Sequence, residues 1–239
     1  MSRFVLAGQS RMSIESNTQR KEVVLDVHVG ENGYIQNAGY VIQPVAALEN
    51  GPINGPKAVV LHRTDSTTAD GTMRGFERGI GTHFLVGKDG TVFQAASLAQ
   101  KTAHVGKIRS RCHSEGTCPA EEKRLIDGWG WAPARIYDHE KVKSYPQRYP
   151  MNEDSVGIET VAKFDRNTKR WEAPTADQSV SIARLIGILK KQYGLSDADI
   201  YEHDRISYKE VGEGAGLYKR DAGGDDIGSM PARFPPPVF

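Results

Sequence analysis

Two histidines follow short apolar segments, which is a position suited to a metal site. His62 follows residues 58–61 (AVVL), and His203 follows the short strand-like segment 200–201 together with Glu202. Open α/β sheets build their ligand sites where strands end. Asp221, in a glycine-rich segment after His203, would complete a set of two imidazoles and one carboxylate, which suits a catalytic zinc ion with one position open to water. Ordinary hydrogen-bonded histidines would also explain the spacing, so both interpretations stay open.

Glu159 and Lys219 are candidates for moving and stabilising charge during a hydrolysis. Glu159 lies in the apolar segment 155–161 (SVGIETV), where strand alternation separates it from the apolar side chains. Partial burial would raise the pKa of this carboxyl towards that of a general base. Lys219 lies two residues before Asp221, so its ammonium would reach the same site and stabilise an oxyanion. A solvated glutamate and a surface lysine are the simpler alternatives.

Charge and hydropathy exclude two classes of protein. The 239 residues include 31 basic and 30 acidic side chains, and the net charge of +1 argues against nucleic-acid binding by bulk phosphate neutralisation. No stretch reaches the roughly 18 apolar residues of a membrane span. The apolar patch near the start, residues 4–7, is shorter than the core of about 7–15 residues in a signal peptide. We therefore expect synthesis in the cytoplasm, with action there or delivery to the periplasm or cell wall by a non-Sec route.

Cys112 and Cys118, in the segment CHSEGTC, are the only cysteines. One pair does not make a disulfide scaffold, but it would close a small loop in an oxidising compartment such as the periplasm. Two free thiols are the alternative.

The elements that must position these residues indicate an α/β or α+β domain. Asp89-Gly90 between residues 82–86 and 91–94 predicts a hairpin. A capping box of Thr175 and Gln178, apolar residues at helical spacing and Gly194 predict a helix over 176–193. Residues 22–29 and 34–42 are predicted strands.

The turn-rich stretch at residues 50–56 (NGPINGP) is the best boundary signal in the chain. It predicts an N-terminal extension, residues 1–56, that packs on or extends a main domain of residues 57–239. Within that domain, residues 107–154 are a long, polar and irregular insertion. Structureless loops of this length are uncommon unless functional, so we expect the insertion to cover or rim a cleft.

The order of these segments resembles the zinc-dependent N-acetylmuramoyl-L-alanine amidases of the type-2 amidase family, which includes the peptidoglycan recognition proteins. The matching pieces span about residues 57–226 and occur in family order: VVLHRT (59–64), THFLVGKDGTVFQ (82–94), TAHVG (102–106), SVGIETV (155–161), the helix TADQSVSIARLIGILKKQYG, IYEHD (200–204) and KRDAGG (219–224).

The resemblance implies a central mixed β-sheet flanked by helices, with a groove that holds one Zn²⁺. It also implies hydrolysis of the amide between the lactyl group of N-acetylmuramic acid and L-alanine, in peptidoglycan or a muropeptide. The residues that match family positions are His62, His203 and Asp221 as zinc ligands, Glu159 as general base and Lys219 as oxyanion stabiliser. His83 and His104 match positions that line the groove and bind substrate, or that support the site.

Some features depart from the family pattern and leave alternatives open. The stretch between His203 and Asp221 is expanded, so Asp225 or Asp226 is an alternative third ligand. A non-catalytic peptidoglycan-binding module of the same fold is the alternative function. An amidase of this kind would serve in recycling, in phage lysis or as a delivered antibacterial toxin, and a toxin would need an immunity protein as partner.

Overall fold

The computed structural model describes residues 26–53 and 55–220, in which ten short strands and six helices alternate. The strands are β1 His28–Val29, β2 Ile35–Gln36, β3 Val41–Ile42, β4 Ala58–Arg63, β5 Phe84–Val86, β6 Val92–Gln94, β7 Ser155–Thr160, β8 Phe164–Asp165, β9 Arg170–Trp171 and β10 Ile200–Glu202. The helices are α1 Ala69–Phe76, α2 Arg111–Glu115, α3 Ala120–Trp129, α4 Pro133–Glu140, α5 Ala176–Tyr193 and α6 His203–Ile206, with 3₁₀ turns at Ala46–Leu48 and Asp197–Asp199.

A six-stranded mixed sheet forms the centre of the fold, in the order β10-β4-β7-β5-β6-β3. Strands β10, β4, β7 and β5 run parallel to one another, whereas β6 is antiparallel to β5 and β3 is parallel to β6. The register places His62 opposite Glu159 on adjacent parallel strands. The predicted mixed sheet with flanking helices is therefore confirmed, and the parallel order brings the carboxyl ends of β4, β7 and β10 to one edge.

Strand alternation divides the sheet into two faces with different covers. On one face, apolar side chains such as Val59 and Ile158 pack against Ile182 and Leu185 of α5. On the other face, one half is covered by α1 and the 3₁₀ turn at Ala46–Leu48, which contact the sheet through the cluster that includes Leu85. The other half is covered by residues of the insertion and by α6. His62 and Glu159 lie on this second face, between its two covers.

Local sequence signals specify α5 and the hairpin as predicted. Thr175 and Gln178 form the reciprocal capping box at the start of α5, and Gly194 ends the helix in a left-handed conformation. Strands β5 and β6 pair around the Asp89-Gly90 turn, where Gly90 has a φ of +80°. Since the turn geometry demands a positive φ there, glycine at this position fixes the hairpin register.

The N-terminal extension is less regular than predicted. Residues 34–42 do not form one strand: they form β2 and β3 with a turn between them, where Asn37 and Gly39 have positive φ. Of the predicted strand 22–29, residues 22–25 lie outside the described part and the rest contributes β1. Strand β3 joins the edge of the central sheet beside β6, and Ile35 enters the main core. The described part of the extension therefore both lengthens the sheet and packs on it.

The insertion at residues 107–154 contains three short helices, α2, α3 and α4, so the expectation of an irregular segment was wrong. Each helix buries few apolar side chains, for example Ile126 on α3 and Ile136 on α4, which is too little to give a clear helical period in the sequence. Cys112 and Cys118 form a disulfide that joins α2 to the segment before α3. Across the described ranges, no helix has the length and apolar character that a membrane crossing requires.

Candidate active site

Two histidines and one glutamate converge at the carboxyl edge of the sheet. Strand β4 carries His62 and α6 begins with His203, while Glu213 comes from the loop after α6. One ligand atom from each of the three lies within 4.8 Å of the other two. Glu213 Oε1 is 2.8 Å from His203 Nδ1 and 3.5 Å from His62 Nδ1. The sequence therefore predicted two members of this cluster and missed the third.

The hydrogen bonds around His203 leave its Nδ1 facing the carboxylate of Glu213. The Nε2 atom of His203 is 2.8 Å from the carbonyl oxygen of Val105, which accepts only, so Nε2 carries the proton. A neutral imidazole has one N–H, and its Nδ1 then presents a lone pair to the Glu213 carboxylate. The Nδ1 lone pair and the carboxylate are both acceptors, so a positive charge must lie between them. That charge is either a proton or a metal ion.

A chain of hydrogen bonds places the ring proton of His62 on Nε2 as well. Ser155 Oγ donates to the carbonyl of Met151 at 2.7 Å, so its oxygen accepts from His104 Nε2 at 3.3 Å. His104 Nδ1 is then free to accept from His62 Nε2, at 3.1 Å. The lone pair of His62 Nδ1 is thereby directed towards Glu213. Partners of this kind, which orient a ligand through its other ring nitrogen, are typical of metal sites.

Burial favours the neutral form of the His62 and His104 rings, which is the form that binds metals. It lowers the pKa of His62 to about 3, with the charge of His203 acting in the same direction and the hydrogen bond to Glu213 opposing it. Burial also holds the pKa of His104 well below its usual range. For Glu213, burial alone would raise the pKa, but the hydrogen bonds and positive charge that His203 and His62 provide when a proton lies between these facing groups lower it to about 2. The carboxylate is therefore ionised across the physiological range.

His83 and His104, predicted to line the groove, are both buried and both have structural partners. His83 donates from Nε2 to the carbonyl of Gln100 at 2.8 Å, and its Nδ1 accepts from the backbone N–H of Gly157 at 3.2 Å. His104 orients His62, as described above. All four ring nitrogens have partners within the protein, which favours support of the site over contact with substrate. Both rings lie beneath the site, and their contact with substrate stays a prediction.

Strand β7 is built so that His104 fits beneath the site. Ser155, Gly157 and Glu159 alternate onto the same face of the strand. A Cβ atom on Gly157 would lie 2.8 Å from His104 Nδ1 and 2.7 Å from Thr82 Cγ2. Glycine is therefore required at this position, because any side chain would push His104 away from His62.

Glu159 lies beside the cluster, opposite His62 in the register of β4 and β7. Its side chain is only partly exposed. Burial raises its pKa to about 8, the negative charge of Glu213 adds to the rise, and the positive charge of Lys209 opposes it. The pKa shift expected from the sequence is present, and a carboxyl of this kind can exchange a proton near neutral pH.

Lys209 was not singled out in the sequence, and it is the lysine whose charge acts on this site. It is exposed, and its positive charge lowers the pKa of both Glu159 and His62. Lys219 is also exposed and lies near the end of the described residues. Its predicted role at the oxyanion stays a prediction.

The residues that follow the two histidines hold the Glu213 loop in place. The carboxylate of Asp204 accepts from the backbone N–H groups of Gly212 and Gly214, at 2.8 and 3.0 Å. From the other side, Arg63 Nη1 donates to the carbonyls of Gly212 and Glu213, at 2.8 and 3.1 Å. A charged side chain on each side therefore fixes the backbone around the third member of the cluster.

Asp221, with its alternatives Asp225 and Asp226, lies outside the described residues. Glu213 could have been found from one signal: it is a carboxylate between two glycines, Gly212 and Gly214, in the polar stretch after His203. Glycines on both sides allow the backbone to approach the sheet edge closely. The sequence gives no sign of the contacts from Arg63 and Asp204 that hold the loop.

Comparison with known proteins found one matching family model and several similar solved structures. A sequence model of the N-acetylmuramoyl-L-alanine amidase family, Amidase_2, matches residues 50–214. No curated protein matched the chain significantly. Similar solved structures include a selenomethionine derivative of AmpD, at 16% identity over 74% of this chain and 86% of that one, with a TM-score of 0.45. PlyL is 11% identical over 71% of this chain and 84% of that one, with a TM-score of 0.43. The Drosophila peptidoglycan recognition protein SD is 19% identical over 71% of this chain and 86% of that one, with a TM-score of 0.40.

The family assignment rests on the sequence match, which includes His62, His203 and Glu213 as well as Glu159. It covers more than two thirds of the chain. The chain belongs to the type-2 N-acetylmuramoyl-L-alanine amidase family, which also contains the peptidoglycan recognition proteins.

Proposed function

We propose that the protein is a zinc-dependent amidase that hydrolyses the bond between the lactyl group of N-acetylmuramic acid and L-alanine in peptidoglycan or its fragments. Family membership supports the choice of bond. The observation that carries the chemistry is the meeting of His62, His203 and Glu213 beside the carboxyl of Glu159.

The three residues fit zinc by the chemistry of their donor atoms. Two imidazole nitrogens and one carboxylate oxygen are a catalytic zinc set that leaves a position for water. In this proposal Glu213 is the third ligand, in place of the Asp221 expected from the sequence. When bound, zinc would supply a Lewis acid for the scissile carbonyl and would lower the pKa of a bound water.

Glu159 is the proposed general base. In its ionised form, the carboxylate takes a proton from the attacking water and then passes it to the nitrogen of the leaving L-alanine. A bound cation would favour the ionised form and draw the pKa down from its value of about 8. The position of Glu159 on a central strand holds the carboxyl without loop motion.

Lys209 is the proposed stabiliser of the developing oxyanion. Its charge acts on both Glu159 and His62, so the ammonium lies within electrostatic range of the base and of one metal ligand. Lys209→Ala should then lower kcat, whereas Lys219→Ala serves as the matched exposed lysine. If Lys219→Ala causes the larger loss of kcat, the assignment made from the sequence is the better one.

The decisive experiment measures zinc content and release of peptide from purified sacculi on the same preparations. Glu159→Gln should keep stoichiometric zinc and lower kcat by about 10²–10⁴-fold. Glu213→Ala should lose zinc and activity together. Glu210→Ala is the matched control, because Glu210 is an exposed glutamate of the same loop, and it should behave as wild type.

Other outcomes identify the alternatives. Full zinc occupancy in Glu213→Ala, with loss in Asp221→Ala, would restore Asp221 as the ligand. Protein that takes up no added zinc and releases no peptide, yet binds sacculi, would instead be the peptidoglycan-binding module.

We also propose that the protein acts in an oxidising compartment, outside the cytoplasm. The Cys112–Cys118 disulfide supports this, because such bonds persist in secreted and periplasmic proteins. Action on the cell wall of a competitor would make it a toxin and would require an immunity protein in the producing cell. Expression with and without a fused export signal tests the compartment: lysis only on export supports the proposal, and equal tolerance of both forms contradicts it.

A further inference from the structure

Trp131 is an aromatic side chain held out in solvent by the insertion. It lies between α3 and α4 and is 73% exposed, the only exposed aromatic residue in the described part of the chain. Gly130 ends α3 with a φ of +58°, and the chain turns there. Trp129, on the other side of this turn, packs against His139 and Arg135 of α4. The turn therefore separates Trp129, which packs against α4, from Trp131, which is exposed to solvent.

The neighbours of Trp131 make a platform rather than an isolated ring. The ring of Tyr208 stands edge-on to the indole, with centroids 5.3 Å apart and an interplanar angle of 83°. The guanidinium of Arg109 lies over Tyr208, 4.7 Å from the ring centroid, and its Nε donates to the carbonyl of Ser207. We call Trp131, Tyr208 and Arg109 the aromatic platform.

The platform is tied to the metal-ligand cluster by short connections. Ser207, next to Tyr208, donates from Oγ to the carbonyl of Val105, and the same carbonyl accepts from His203 Nε2. Lys209, on the other side of Tyr208, acts electrostatically on Glu159. The insertion that carries Trp131 covers the face of the sheet on which His62 and Glu159 lie. The aromatic platform therefore stands at the rim of the proposed active site.

We propose that the aromatic platform binds a sugar ring of the glycan, on the saccharide side of the scissile amide. This inference rests on the proposed function for the identity of the substrate. A flat indole face accepts the C–H face of a pyranose, while Tyr and Arg beside it offer hydrogen bonds to hydroxyl and acetamido groups. The peptide stem offers small and charged side chains, which gain little from an exposed indole. The chemistry of the platform therefore matches an N-acetylhexosamine.

The kinetic test compares substrates that differ only in the sugar. They are a lactyl-peptide without sugar, an N-acetylmuramoyl-peptide and the same peptide on a GlcNAc–MurNAc disaccharide. Trp131→Ala should raise KM about tenfold for a sugar-bearing substrate, the scale of one good aromatic contact, and leave kcat unchanged. KM for the lactyl-peptide should not change. Trp131→Phe keeps an aromatic ring, so its KM for a sugar-bearing substrate should stay close to the wild-type value. Val180→Ala, an exposed apolar position on α5, is the control.

A binding measurement separates this inference from the proposed function. The GlcNAc–MurNAc disaccharide without peptide is titrated into ¹⁵N-labelled protein, and the indole N–H signal of Trp131 is assigned from its loss in Trp131→Ala. A saturating shift of that signal supports the platform even if no substrate is hydrolysed, in which case only the proposed function falls. Hydrolysis with no shift, or with an equal change in KM for all three substrates, overturns the saccharide site and leaves the amidase intact.

Discussion

Replacing Gly214 by alanine should weaken zinc binding although Gly214 contributes no ligand atom. Gly214 follows the proposed ligand Glu213 and lies against the ends of β4 and β10. A Cβ atom there would be 2.7 Å from each of three backbone atoms: Glu202 Cα, His203 N and Leu61 O. None of these belongs to a flexible side chain, so the loop and not its neighbours must move.

The size of the movement follows from the distances. Ordinary contact begins at 3.4 Å, so the loop must retreat by about 0.7 Å to accommodate the methyl group. Metal–ligand distances tolerate only about 0.2 Å. The retreat also lengthens the hydrogen bond from the Gly214 N–H to Asp204, now 3.0 Å. We expect zinc affinity to fall about 10–100-fold, as for loss of a supporting partner, and unfolding free energy to fall by about 1–3 kcal/mol from overpacking.

The assay is competition for zinc against a chelator, with thermal unfolding followed on the same samples. Gly187→Ala is the matched control: Gly187 is an exposed glycine on α5, and a Cβ atom added there would meet nothing within 4 Å beyond its own helix. It should keep wild-type zinc affinity and gain about 0.5–1 kcal/mol of stability, since alanine favours the helix. Wild-type zinc affinity in a folded Gly214→Ala protein would refute the argument that this close contact positions Glu213.

Three further predictions concern the disulfide, acid stability and a buried ion pair. Alkylation without reduction should leave the intact mass unchanged, and after reduction it should add two groups, at Cys112 and Cys118; labelling before reduction would contradict the disulfide. Burial lowers the pKa of His83 from 6.5 to about 4 in the folded protein. Between these two pH values the unfolded chain binds a proton on His83 that the folded chain does not. With chelator present, the free energy of unfolding should therefore fall as the pH falls from 6.5 to 4. Denaturant titrations should show a shallower fall in His83→Gln, and an equal slope would exclude His83 as the cause. Asp154→Ala leaves Arg148 buried without its 2.8 Å partner, so it should cost about 3–5 kcal/mol, and a loss below 1 kcal/mol in the same titration would contradict this.

The parts of the fold that could be predicted are those with local signals. Helix α5 carries its own capping box and C-terminal glycine, and the Asp89-Gly90 turn specifies its hairpin, so short stretches of sequence suffice. The sequence does not indicate the helices of the insertion, because none of them buries more than two side chains. The sequence predicts one strand over residues 34–42, where the structure has the two strands β2 and β3. The break occurs because Asn37 adopts a positive φ that its identity alone does not require.

The site was predictable to the extent that its residues lie on regular elements. His62 and Glu159 are on buried strands, and His203 directly follows one, so alternation and strand ends indicated all three. Glu213 lies on a loop, and its approach to the histidines depends on long-range contacts that no local pattern encodes. For His83 and His104, the resemblance implies either lining of the groove or support of the site. The difference between these two depends on burial, which a single sequence does not show.

The placement of Arg63 and Asp204 explains how a loop residue can complete a site built on strands. Each follows one of the two histidines directly, so the chain that positions an imidazole also positions a charged group one residue on. Both groups then bind the backbone around Glu213, Asp204 through two N–H groups and Arg63 through two carbonyls. Because Arg63 and Asp204 lie next to the two histidines in the chain, any shift of β4 or α6 moves a histidine and its neighbouring charged residue together. The loop therefore follows the histidines, and the relative geometry of the three proposed ligand atoms is preserved without regular structure around Glu213.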